Sequence, residues 1–167
     1  DLTPCSAFIT AENIDGLIVE AGFSGDLGVL SIDIDGNDYW VWEAIRSAQP
    51  RIVVVEYNSV FGPDAAVVVP YAPDFYRRTA HFSWLYAGAS LAALALLGEQ
   101  KGYALVGSNS AGNNAFFVRK DVLGRLRPMA ASEAWVESTF RESRDEAGRM
   151  TFLSGMQRLE LIADMPL

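Results

Sequence analysis

The residues able to do chemistry gather at the ends of two apolar runs. The first reads Leu30-Ser31-Ile32-Asp33-Ile34-Asp35-Gly36-Asn37-Asp38, and the second Ile52-Val53-Val54-Val55-Glu56-Tyr57-Asn58. Carboxylates at the tip of a buried strand are costly unless they meet water, a cation or hydrogen-bond donors. Side chains alternate along a strand, so Asp33 and Asp35 share one side, and so do Glu56 and Asn58. Together they place a cluster of oxygen ligands at one site. The only imidazole, His81, can act as a base near neutral pH; packing in an aromatic loop is its simpler use. Arg77 and Arg78 can grip an anionic group bidentately, or stand as a solvated charged pair.

The elements around these residues must bring them together. A run such as Val53–Val55 reads as a strand buried on both faces, as parallel sheets require. Residues Asp38 to Ala48 form a crossover helix, with Asp38 as its cap and Pro50 ending it. The two acidic strands are therefore parallel and adjacent, with their C-terminal ends on the edge where open α/β folds bind ligands. Upstream, Thr10 caps a helix to about Ala21, with Ile14, Leu17, Ile18 and Ala21 on one stripe and Gly22 closing it. From Phe61 to Tyr86, Pro63, Pro70 and Pro73 punctuate an aromatic stretch that suits a lid or binding loop, or a packed surface excursion. A helix over Ala89–Lys101 follows. Next comes an antiparallel pair, Tyr103–Gly107 and Ala115–Lys120, joined by a Ser, Gly and Asn turn. A further helix is expected over Glu133–Arg144, and no element is assigned from Arg149 to Leu167. The expected fold is α/β: a mostly parallel sheet, helices on both faces, and a C-terminal antiparallel hairpin. Residues 1–127 form the α/β domain, and 128–167 a helical extension and tail.

Composition narrows the partners. A length of 167 residues suits one domain, and 50% hydrophobic with 20% charged residues suits a globular chain. A net charge of −8 argues against a nucleic-acid groove. The longest apolar stretch, Leu91–Leu97, is too short for a membrane span, and no secretory signal is visible, so the expected setting is cytoplasmic. Cys5 is the only cysteine, which excludes an internal disulfide and a cysteine-based zinc site. The chain opens on Asp1 rather than Met, as a fragment or processed product would.

Three families share parts of the acidic motif. An EF-hand loop needs Gly at its sixth position and Glu at its twelfth; counted from Asp33 these are Asp38 and Ala44, so the resemblance fails. Asp33-Ile34-Asp35-Gly36 resembles the DxDG motif of haloacid dehalogenase phosphatases. That resemblance implies Asp33 as nucleophile and Asp35 as general acid/base, with Lys101 and Ser108 as the nearest candidates for its remaining residues. The third resemblance covers Thr10 to Arg125. Ser31-Ile32-Asp33-Ile34-Asp35-Gly36-Asn37-Asp38-Tyr39, a helix, and then Val54-Val55-Glu56-Tyr57-Asn58 resemble the C-terminal half of FkbM-like methyltransferases. Those proteins carry a "KIDVEGAE" strand end and a later strand ending in Glu. Asn114-Ala115-Phe116-Phe117-Val118-Arg119 is similar to their last strand.

This third resemblance implies the second half of a class I, Rossmann-like methyltransferase sheet, holding its fourth to seventh strands. It implies S-adenosylmethionine as cofactor, with Asp35, Gly36 and Tyr39 near it. The reaction would be methyl transfer to an oxygen of a small molecule or sugar. Asp33, Glu56 and His81 are the catalytic candidates, and Asp33, Glu56 and Asn58 the ligands if Mg²⁺ is used. Asn58, Arg77 and Arg78 are the substrate-binding candidates. The glycine-rich turn that cradles the cofactor in this family has no counterpart before Asp33, so the α/β domain is expected to be either incomplete at its N-terminus, a fragment unable to bind the cofactor alone, or a degenerate relative that does not bind it by itself. A non-catalytic binding or assembly module is the alternative, pairing or dimerising through the exposed edge of strand Val29–Asp35.

Overall fold

The computed structural model describes residues 2–167. Helix α1 spans Ile14–Glu20 and strand β1 Gly25–Ile32; helix α2 covers Asp38–Ala44 and strand β2 Ala48–Glu56. After a long irregular passage containing the one-turn helix α3 (Arg77–Ala80) come α4 (Leu91–Gln100), β3 (Tyr103–Ser108) and β4 (Asn114–Arg119). Two short helices, α5 (Ala131–Ala134) and α6 (Met156–Glu160), lie in the tail. Among the described residues, no helix is long and apolar enough to cross a membrane.

The sheet order is β1-β2-β4-β3. β1 and β2 are parallel, with Ile32 beside Val55, whereas β4 opposes both β2 and β3. Three strands therefore point one way and β4 runs against them. The expected parallel pair and the terminal hairpin are both present. Asn109 shapes the hairpin turn: its Oδ1 accepts from the amides of Gly112, Asn113 and Asn114 at 3.0, 3.1 and 3.1 Å.

One face of the sheet carries the core. Val53, Val55, Leu105 and Phe117 pack against Val41 and Trp42 of α2 and Leu91, Leu94 and Leu97 of α4. Trp42 and Phe117 meet at 4.8 Å between ring centres. Gly98 lets them come this close, because a Cβ there would lie 2.8 Å from the Phe117 ring. Burying a side chain such as Phe117 contributes roughly 1.5–3 kcal/mol. The expected cover on the second face is missing over β1 and β2, where Val29 is 59% exposed and its neighbour Ile52 is also exposed.

Several boundaries differ from the expectation for local reasons. Thr10 opens a turn rather than a full helix: Asn13 Oδ1 accepts from the Thr10 amide at 2.8 Å, and α1 starts after it. Helix α2 stops at Ala44, because the Asp15 carboxylate takes the amides of Arg46 and Ser47, both at 2.8 Å. Pro50 lies inside β2 instead of before it. The proline is tolerated there because the β4 ladder extends only to Ile52, so β2 at this point pairs with β1 alone. The helix expected over Glu133–Arg144 is not formed; only Ala131–Ala134 is helical. Beyond it the chain packs by contacts no local pattern announces. The Tyr57 hydroxyl donates to the Val136 carbonyl at 2.8 Å, and the Ser138 amide donates to Ser59 Oγ at 2.9 Å. Ile162 is buried with Phe61, Val69, Leu85 and Tyr86 in a second cluster.

Candidate functional site

Parallel β1 and β2 end in register, so Asp33 and Glu56 emerge side by side at one rim. The loop after β1 is held by Asp38. Its Oδ1 accepts from the Ile34 amide and its Oδ2 from the Gly36 amide, each at 2.9 Å. Asp38 thus caps loop amides that precede its own helix. At 1% exposure its burial pushes the carboxyl pKa up, and the amide bonds oppose that shift. Gly36 is required for close packing, since a Cβ there would sit 2.2 Å from the Phe75 ring. Asp35, with φ of +58°, turns outward to meet Arg77 at 3.1 Å.

Glu56 is the most perturbed acid of the rim. Burial, reinforced by the charges of Asp38, Asp33 and Asp35, pushes its pKa up to about 8, with Arg77 opposing. Among the described residues, no hydrogen-bond donor relieves it. Asp33, expected beside it in the site, faces solvent and lines no cleft of this rim; partial desolvation and the Asp35 charge raise its pKa as well.

Two clefts meet here. The larger, of 580 Å³, is floored by Glu56, Asp38 and Gly36 and walled by Leu85, Phe140 and Phe152. The smaller, of 430 Å³, is lined by Phe8, Ile9, Ile34, Asn37, Phe75 and Tyr76, with Arg78 and Trp84 beside them. Asp35 and Arg77 line both, so their ion pair stands at the junction.

Other expected site residues are placed differently. Asn58 clamps the irregular passage to β2: its Nδ2 donates to the Leu85 and Ala87 carbonyls at 2.8 and 2.9 Å, and its Oδ1 accepts from the Val60 amide at 3.1 Å. His81 lines neither cleft; its Nδ1 lies 2.7 Å from Ser83 Oγ, its ring packs on Phe82, and burial lowers its pKa. Tyr39 stands edge-on to Trp40 at 5.1 Å between ring centres, also outside both clefts. Arg78 lies over the Trp84 indole, 4.7 Å from its centre. Lys101 donates to the Glu43 and Ile45 carbonyls near the start of β2, at the rim opposite Asp33. A phosphatase constellation of Asp33, Asp35 and Lys101 is therefore not assembled.

Among the described residues, no group of three or more His, Cys, Asp or Glu side chains could hold a metal ion. With Asn58 committed to backbone groups, the rim does not fit the expected Mg²⁺. Of the residues expected near S-adenosylmethionine, Asp35 lines both clefts, Gly36 only the larger and Tyr39 neither; the smaller cleft has aromatic and aliphatic walls with charged groups beside them. Sequence reasoning missed Phe8, Phe75, Tyr76 and Trp84 as cleft residues, although the aromatic density of the 61–86 passage was a signal. It gave none for Phe140, Arg141, Phe152 and Arg158, which no motif marks. No family model matches the chain, and neither a curated protein nor a solved structure shows significant similarity to it.

Proposed function

We propose that this chain is the acceptor-side half of a class I methyltransferase fold resembling the FkbM-like enzymes, and that it methylates a hydroxyl group. One observation carries the reading: two clefts adjoin at Asp35 and Arg77, at the C-terminal rim of the parallel strands, and only the larger is lined by Glu56. A two-substrate transfer needs two sites that share a border. The parallel pair followed by a terminal antiparallel hairpin agrees with the fourth to seventh strands of that sheet.

On this reading Phe8, Ile9, Phe75 and Tyr76 hold the nucleoside end of S-adenosylmethionine, which supplies the electrophilic methyl group when bound. Asp38 and Gly36 fix the loop that carries Asp35 to the border. The acceptor lies in the larger cleft, and Glu56 takes its hydroxyl proton as the oxygen attacks. A carboxyl with a pKa of about 8 holds its proton at neutral pH, so activity rises as pH passes through that value. The free edge of β1 is where the chain associates with a further strand, a second copy included.

The test is transfer of labelled methyl from S-adenosylmethionine to a panel of hydroxyl compounds. Glu56→Gln is expected to cut the rate by about 10²–10⁴-fold. Transfer undiminished in that variant would place the base elsewhere.

A further inference from the structure

The larger cleft has one wall built from the tail, and that wall is aromatic. Phe140 is 61% and Phe152 54% exposed, and both line the cleft with Met150. Large exposed apolar side chains gathered on one cleft mark a binding surface. These two are held in place through their backbones. Arg158, only 3% exposed, donates to the Phe140 carbonyl at 3.3 Å and to Glu137 Oε1 at 2.9 Å. Arg141 donates to the Phe152 carbonyl at 2.5 Å. The wall is further tied to the hairpin turn, where the Thr139 amide donates to the Ala111 carbonyl at 2.9 Å.

The neutral polar groups of the cleft are mostly occupied within the protein. Asn58 is bound to three backbone groups, as described above. Ser59 Oγ accepts from the Ser138 amide, Ser138 Oγ from the Phe140 amide, and Asn113 Oδ1 from Asn109. The charged groups of the cleft other than Glu56 are engaged too, Asp35 with Arg77, Glu142 with Arg144, Arg141 with a carbonyl and Arg158 with a carbonyl and Glu137. This leaves the many hydroxyls of a sugar few free partners. A ring bearing a single hydroxyl matches what is offered: apolar walls and the unpartnered carboxyl of Glu56.

We infer that the larger cleft takes a hydroxyaryl compound, its ring against Phe140 and Phe152 and its hydroxyl toward Glu56. As an acceptor assignment this rests on the methyltransferase reading; as a binding preference it does not. A cleft of 580 Å³ accommodates a molecule of one or two rings.

Calorimetric titration of the chain with methyl 4-hydroxybenzoate, and separately with methyl glucoside, tests it without any cofactor. The aryl compound is expected to bind saturably and the glucoside not. The double variant Phe140→Ala/Phe152→Ala is expected to weaken aryl binding tenfold or more, with its circular dichroism unchanged because both rings are exposed. Saturable glucoside binding without aryl binding overturns the inference, as does aryl binding unaltered by the double variant. Aryl binding without any methyl transfer sinks only the enzymatic reading; methyl transfer to a sugar without aryl binding sinks only this one.

Discussion

A carboxyl that is largely buried and faces three other acids keeps its proton well above the usual range, and Glu56 is in that position. Asp38, Asp33 and Asp35 press on it with like charge, and Arg77 is the cation opposing them. The linkage to stability has a definite sign. The folded pKa of about 8 exceeds the ordinary glutamate value of 4.5, so between these values the folded state binds more protons than the unfolded chain. Stability is therefore expected to fall as pH rises through this window, with Glu56 contributing a slope of up to about 1.4 kcal/mol per pH unit. Denaturant unfolding of wild type and Glu56→Gln from pH 5 to 8.5 checks this. The variant is expected to lose that part of the slope and to be the more stable protein at the alkaline end. Glu56 was readable as a strand-tip acid at a cleft, whereas Asp33, its neighbour at the rim, lines neither cleft. The fate of Asn58 was not, since its partners, Leu85 and Ala87, lie 27 and 29 residues away in a passage without regular structure.

At the scale of elements, the site depends on how two irregular segments dock against the sheet. Asp38 ties down the loop after β1, and the hairpin turn between β3 and β4 receives the tail. Gly112, with φ of +75°, packs so tightly that a Cβ would lie 2.6 Å from the Glu137 carbonyl carbon. Neither the backbone angle nor the contact can be relieved by a side-chain rotation. Gly112→Ala is expected to destabilise the protein by about 1–3 kcal/mol and to loosen the tail wall. Limited proteolysis would then cut residues 138–153 faster than in wild type. The parallel pair, α4 and the hairpin were readable from apolar runs, Gly102 and the Asn-rich turn, which are all local signals. The tail was not. Its polar, charged sequence suggested a helix over Glu133–Arg144, but its conformation is set by Tyr57, Ser59 and Ala111, far upstream.

For the molecule as a whole, the unfinished side is β1. Its outer edge pairs with nothing among the described residues, and it carries no Pro, Lys or bulge that would discourage a new strand. With Val29 and Ile52 open on the adjoining face, the chain is expected to self-associate as its concentration rises, and Val29→Lys to shift it toward monomer. Sedimentation velocity reads both. Calorimetric titration of this chain with S-adenosylmethionine is the most direct measurement of the proposed function. Saturable binding, weakened in Gly36→Ala, whose Cβ would meet the Phe75 ring of the smaller cleft, is the predicted result. Absence of binding would contradict the methyltransferase reading.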